Sequence, residues 1–266
     1  MLGLVLGNKV SRKTAKNLAK VLAFDYSENV FPYKPYNCVI RYGNTTVDDC
    51  LPEYHTPLLM INSIICVIRT AHKLSCRKLL LENGIKCPML IEYHDLQDIR
   101  NPEFIFKPAL IARPVFHARG RNFFRVNNLA KALQFVKRGY YLQEFIEKRV
   151  EYRVFIYRGR FFEVDEKVPG RFFANDVIRN HDNGWIFNKI PYKTLAEDLL
   201  EQCRKVYYAT RLDWMAIDCC ISKDNRPYIF EVNSAPGLID RKLINFANRI
   251  KGELGIDMSV PLDPMM

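Results

Sequence analysis

No apolar run in these 266 residues approaches membrane-spanning length, which excludes a chain built around a transmembrane helix. The opening stretch Met1-Leu2-Gly3-Leu4-Val5-Leu6-Gly7 is too short for a secretory signal core, and no basic residue precedes it. Eight cysteines are present but no Cys-x-x-Cys pair is, so neither a zinc cluster nor a disulfide framework is expected. Cys219 and Cys220 are neighbours whose side chains would leave a strand on opposite faces, and buried, reduced thiols are the expectation. Internal repeats and low-complexity segments are missing, which excludes a solenoid or a disordered tail-like chain. Acidic charge is in deficit: 29 Asp and Glu stand against 40 Lys and Arg, for a net +11. That surplus suits a nucleic acid, an acidic protein or a small polyanion, and charge alone does not choose among them.

Hydrophobic residues make up 48% of the chain, enough for a real core in one large or two to three small domains. Two apolar stretches, Trp214 to Ile221 and Tyr228 to Asn233, read as the arms of a β-hairpin. The connector Ser222-Lys223-Asp224-Asn225-Arg226-Pro227 is turn chemistry. With Ile221 opposite Tyr228, Asp218 lies opposite Glu231, and Asn233 follows two residues on, on the same face. Facing carboxylates repel, and a divalent cation would turn that liability into a site. Oxygen-only ligands suit Mg²⁺, which completes its shell with water and substrate phosphates. A solvated acidic pair at a sheet edge is the plain alternative. The apolar neighbours and the following Ser234-Ala235-Pro236-Gly237-Leu238 argue against it.

The remaining chain alternates strand and helix patterns, which indicates an α/β (α+β) fold. A short strand over residues 1–10, a helix from Ser11 to Ala23 and a strand at Cys38 to Tyr42 suggest a small α/β lobe. Ala71 to Glu82 reads as a helix closed by Asn83-Gly84, followed by a strand-like Ile85-Lys86-Cys87. Phe104 to Pro108 reads as a strand with Lys107 at its end. A basic loop follows, with Arg113, His117, Arg119, Gly120 and Arg121. Asn128 caps a helix from Leu129 to Lys137 that Gly139 closes. Tyr140 to Glu147 is a strand running into a linker. Glu151 to Tyr157 and Arg160 to Lys167 form a hairpin about Arg158-Gly159, in which Arg153 has Glu163 and Glu166 as candidate partners. An irregular stretch with Asn180, His181, Asn183 and Gly184 comes next. Thr194-Leu195-Ala196-Glu197 reads as a capping box before an apolar-faced helix, and Arg241 to Ile250 as the last helix. The expected division is 1–70, 71–146 and 147–266.

Lys107, the basic loop, the run Gln143-Glu144-Phe145-Ile146-Glu147, and Asp218 with Glu231-x-Asn233 resemble, in order and spacing, the ATP-grasp superfamily. The resemblance extends over roughly residues 70 to 240. It looks nearest to the ribosomal-protein glutamate ligases and to carboxylate–amine ligases of some phage genomes. Its most specific stretch is Glu231 to Leu238. The resemblance implies two α/β lobes clasping ATP beside a small N-terminal lobe. It implies that Lys73 and Lys107 contact the nucleotide and that the linker, Gln143 to Glu147, carries the base and ribose. Glu144 and Ile146 would meet the adenine edge, with Phe145 between them and Glu147 near the ribose. Asp218, Glu231 and Asn233 match metal ligands, and Arg153 matches an arginine facing the transferred phosphoryl group. Asn180 matches a residue beside the substrate, and Arg119 and Arg121 belong to the phosphate loop. That loop departs from the family pattern: residues 112–122 hold one glycine, Gly120, so side-chain charge would replace backbone amides.

The function expected is an ATP-dependent carboxylate–amine ligase working through an acylphosphate, with ATP and Mg²⁺ as cofactors. Its partners would be an acid and an amine, the latter an amino acid, peptide or protein tail. It would act in the cytoplasm, the host's if the chain is phage-encoded. Phosphoryl transfer asks for positioning and charge neutralisation, which lysine, arginine and a divalent metal supply. The alternatives are a small-molecule kinase on the same fold, or a basic protein binding nucleic acid or an acidic partner with a degenerate ATP site.

Overall fold

The computed structural model describes residues 1–28, 34–45, 57–91, 96, 109–115, 123–173 and 177–256. The chain divides into two compact units. One comprises Met1–Ile68, Leu212–Met215 and Asn233–Met266; the other comprises Arg69–Arg211 and Ala216–Val232. Among the described residues no helix is long and apolar enough to cross a membrane.

The first unit holds a parallel sheet of β1 (Gly3–Leu6), β2 (Asp25–Ser27), β3 (Cys38–Arg41) and β4 (Leu59–Ile61), in the order β2-β1-β3-β4. Parallel strands need a crossover, and α1 (Arg12–Leu22) provides the first. Its Ala15, Leu18, Ala19 and Leu22 recur at helical spacing and are buried, while Arg12, Lys13, Lys16 and Lys20 are exposed. The last helix, α6 (Asp240–Glu253), packs against α1 and buries Leu243, Phe246, Ala247 and Ile250. The Phe246 ring stacks on Trp214 with centroids 4.0 Å apart. Asn62 binds the Trp214 backbone on both sides, accepting from N and donating to O at 2.9 Å each. These contacts assign residues 212–215 and 233 onward to the N-terminal unit, although they lie far from it in sequence.

The second unit carries two sheets. The first is antiparallel, ordered β5 (Leu90–Ile91), β8 (Tyr140–Glu144), β6 (Leu110–Pro114), β7 (Phe124–Val126). Ile91, Leu110, Ala112, Val126 and Leu142 form its core with Ala132 of α4 (Leu129–Lys137). As expected, Asn128 caps α4, its Oδ1 accepting from Lys131 N at 2.9 Å, and Gly139 follows at φ 79°. The second sheet runs β11 (Trp185–Ile190), β10 (Arg160–Pro169), β9 (Lys148–Tyr157), β12 (Trp214–Ser222), β13 (Pro227–Asn233). The β9–β10 hairpin turns at Arg158-Gly159, both with positive φ, the conformation a two-residue loop requires. β12 is buried along its whole length, and α5 (Glu197–Thr210) buries Leu199, Cys203 and Val206. The proposed lobe boundary near residue 146 falls between these two sheets.

Four local readings differ. The helix expected over Ala71 to Glu82 forms as α3 (Lys73–Glu82), but α2 (Ile64–Ala71), which was not expected, precedes it. His72 separates them because its backbone is extended and its Nδ1 accepts from Ser75 N at 3.1 Å, capping α3. Ile85-Lys86-Cys87 forms no strand. The capping box at Thr194 does not form. Thr194 Oγ1 donates instead to Pro191 O at 2.7 Å inside a short 3₁₀ turn, and α5 begins at Glu197 after an uncapped Ala196. The irregular stretch about Asn180 to Gly184 is present and holds a short 3₁₀ turn, His181–Asn183, but the strand after it, β11, was not expected. The strand expected at Phe104 to Pro108 lies outside the described residues.

Candidate functional site

β13 brings Glu231 to the start of α3. Arg77 of α3 is buried and anchors this junction, donating to Ile229 O at 3.3 Å, to Phe230 O, and to Pro88 O at 3.5 Å. Lys73 opens α3. Its ammonium lies 2.9 Å from Glu231 Oε1 and donates to Val232 O at 2.9 Å. On the other side Arg113 of β6 donates from Nη2 to Glu231 Oε2 at 3.0 Å. Lys73, Arg77, Arg113, Tyr141, Phe230 and Glu231 line one pocket.

Asp218 on β12 is held in the same manner. Arg153 on β9 forks onto it, with Nε to Oδ1 at 3.1 Å and Nη2 to Oδ2 at 2.9 Å. The pairing of Arg153 with Glu163 or Glu166 therefore gives way to one with Asp218; Glu163 pairs with Lys189 at 2.6 Å. Lys167 of β10 adds a contact to Asp218 Oδ1 at 2.8 Å and one to Glu151 Oε1 at 2.5 Å. Lys148 closes the row on Glu151 Oε2 at 2.7 Å and on Val177 O at 2.9 Å. Burial by itself would raise the Asp218 pKa, but Arg153 and Lys167 overturn that and hold it down to about 2. Glu151 is likewise lowered against its burial by Lys167 and Lys148. Asp218 is thus ionised at neutral pH, as a metal ligand must be.

Five cations, Lys73, Arg113, Arg153, Lys148 and Lys167, surround three carboxylates, Asp218, Glu231 and Glu151. The excess is positive, which suits a polyanion. No group of three or more His, Cys, Asp or Glu comes together among the described residues. An all-protein metal cage is therefore not built from such side chains. An oxygen donor set of two carboxylates fits Mg²⁺ that completes its shell on phosphate. Asn233 ends β13 two residues beyond Glu231, where the chain passes into the other unit.

The linker residues lie on and just after β8. Gln143 is buried. Glu144 N donates to Met89 O at 2.9 Å, and its carboxylate accepts from Met89 N at 3.3 Å. Phe145 lies 4.8 Å below the Arg125 guanidinium, Ile146 is buried, and Glu147 pairs at the surface with Lys223 at 3.0 Å. Asn180 is occupied in capping the 3₁₀ turn, its Oδ1 accepting from Asn183 N at 2.9 Å. Its neighbour His181 stacks on Phe187 at 4.3 Å, and Arg153 and Lys167 lie over the same ring at 5.3 and 5.4 Å. Lys107, His117, Arg119 and Arg121 lie outside the described residues. Lys167, Glu151 and Lys148 were absent from the sequence-derived set, and Arg113 was named there only as part of the basic loop. No sequence signal pointed to Glu151 or Lys167, because counting straight back from the Arg158-Gly159 turn sets Glu151 against Glu166 and only the register shift between Phe161 and Glu163 pairs it with Lys167.

Residues 70–252 match the family model described as the RimK-like ATP-grasp domain. Coenzyme gamma-F420-2:alpha-L-glutamate ligase of Methanocaldococcus jannaschii is 29% identical over 185 residues, covering 66% of this chain. The chain spans about three fifths of that relative's length, 62%. In fold, the chain is similar to D-alanine–D-alanine ligase from Bacillus anthracis, with TM-score 0.69 and 18% identity over 95% of this chain and 92% of that one. It is similar also to the ATP-grasp ligase PsnB complexed with minimal precursor, Mg and ADP, with TM-score 0.65 and 13% identity over 95% and 98%.

Proposed function

The chain belongs to the RimK-like ATP-grasp family, and from that premise we propose that it is an ATP-dependent carboxylate–amine ligase. The observation that carries the proposal is the Asp218 and Glu231 carboxylates set among surplus cations, a charge pattern matched to a metal-bound polyphosphate.

In this reading Lys73 and Arg113 hold phosphate oxygens, lysine as a point charge and arginine as a planar fork. Lys107, Arg119 and Arg121 are assigned to the phosphates in the same reading, from their places in the sequence. Gln143 to Glu147 carry the base and ribose. Asp218, Glu231 and Asn233 offer oxygen ligands to Mg²⁺. Held by these residues, the metal would supply positive charge that offsets the charge developing on the transferred phosphoryl group. Arg153 faces that group, and Asn180 stands beside the acid or amine. An oxygen of the substrate carboxylate attacks the γ-phosphorus and ADP leaves. The amine then attacks the acyl carbon and gives up a proton, phosphate departs, and an amide remains. Activation is required because a carboxylate is a poor electrophile.

Cytoplasmic residence belongs to the same proposal and is supported by the described cysteines, which are free and buried. The test is ADP release with Mg²⁺ over pooled acids and amines, with products read by mass spectrometry. ADP that requires both an acid and an amine supports the ligase. A stable phosphorylated product makes the protein a kinase instead. No turnover, with tight salt-dependent RNA or DNA binding, overturns an enzymatic reading.

A further inference from the structure

Every oxygen of the Asp218 and Glu231 carboxylates already accepts from a cation of the chain. Asp218 Oδ1 is bound by Arg153 at 3.1 Å and Lys167 at 2.8 Å, and Oδ2 by Arg153 at 2.9 Å. Glu231 Oε1 is bound by Lys73 at 2.9 Å and Oε2 by Arg113 at 3.0 Å. A bare divalent cation approaching this pair meets four positive side chains and must displace them into a partly buried site. A cation that arrives on a polyphosphate brings the anionic oxygens those side chains can move to.

Three of the four cations have another contact to keep during such a move. Lys167 is 4% exposed and keeps its 2.5 Å contact to Glu151 when Asp218 turns away. Lys73 keeps Val232 O at 2.9 Å, and Arg113 lies 5.4 Å over the Phe123 ring with spare donors. Those three are not stranded, and Arg153 still lies over the Phe187 ring at 5.3 Å, so the exchange limits the penalty of an unpaired buried ion.

We infer that Lys167 and Arg113 are site residues acting as exchangeable counter-ions, which hold the two carboxylates until a nucleotide takes the cations over. A divalent metal then enters this site with the nucleoside triphosphate and not ahead of it. This rests on the reading of Asp218 and Glu231 as metal ligands.

The experiment follows free Mn²⁺ by electron paramagnetic resonance during titration of the full chain, with and without a non-hydrolysable ATP analogue. Wild type is expected to bind Mn²⁺ weakly alone and strongly with the analogue. Lys167→Met and Arg113→Met should tighten binding of Mn²⁺ alone by about tenfold or more. Adding Asp218→Asn to Lys167→Met should abolish that gain. Wild-type protein that binds Mn²⁺ equally well with and without the analogue overturns the exchange while leaving the ligase reading intact. So does a folded Lys167→Met variant with unchanged Mn²⁺ affinity. If that variant does not fold, the wild-type comparison and Arg113→Met decide. No binding of Mn²⁺ in either condition removes the metal assignment itself, and the ligase proposal with it.

Discussion

Lys167 reaches across a whole strand to Asp218. It sits on β10 and Asp218 on β12, with β9 between them, yet its ammonium lies 2.8 Å from Asp218 Oδ1. Glu151 on the intervening strand sits opposite Lys167 and holds it at 2.5 Å. A continuous row of charge thus crosses three strands and ends at the candidate metal site.

The middle of that row should be the costliest place to cut it. Glu151→Gln leaves Lys148 and Lys167 buried without their shared counter-ion, and removing one member of a buried pair costs about 3–5 kcal/mol. Urea unfolding followed by circular dichroism should show a midpoint displaced by that amount. A midpoint matching wild type would mean the row is solvated and carries no stability.

Acid should act through Asp218. Its pKa, ordinarily 3.8, is held at about 2 in the fold. Below the ordinary value the unfolded chain takes up the proton more readily than the folded protein does. The associated stability is therefore complete above about pH 4 and is lost as pH falls toward 2, about 2 kcal/mol in all. Asp218→Asn should be less stable than wild type at pH 7, because two cations lose their anion, and should show a shallower decline over that window. Parallel declines in the two proteins would remove Asp218 from the acid response.

Turnover should depend on the other carboxylate. Glu231→Gln keeps the shape of the side chain and removes its charge, so ADP release should fall by about a hundredfold, ~2.7 kcal/mol of barrier. The readout is steady-state ADP release at saturating Mg·ATP, checked against unchanged near-ultraviolet circular dichroism. Wild-type rates in a folded variant would end the metal assignment.

Phosphate contacts should appear in nucleotide affinity. Lys107→Ala and Arg113→Ala should each weaken Mg·ATP binding by roughly 1.5–3 kcal/mol, the worth of a charge-assisted contact. Calorimetry decides for each residue separately. Equal affinity in either variant takes that side chain off the phosphates.

The strands that carry Asp218 and Glu231 were legible because strand periodicity and a recognisable turn define two adjoining strands without reference to the remaining chain. The same holds for the α4 cap at Asn128, for the buried face of α1 and for the turn at Arg158-Gly159, all of which rest on neighbours within a few residues. Lys73 and Arg153 were named only through the resemblance to the ATP-grasp superfamily. Repulsion between the two carboxylates was also inferred, but the four cations that hold them come from β6, α3, β9 and β10, and no local pattern announces that these converge.

The sequence by itself determined the two strands that carry Asp218 and Glu231, the hairpin beside them and the α/β class. The tertiary structure alone decided which face of that hairpin meets Asp218. Counted straight back from its turn, the hairpin would set Arg153 against Val164. A register shift between Phe161 and Glu163 instead pairs Arg153 with Asp165 and Glu151 with Lys167. One extra residue moves every later side chain of that strand to the opposite face, and that is how Lys167 comes to lie beside Asp218.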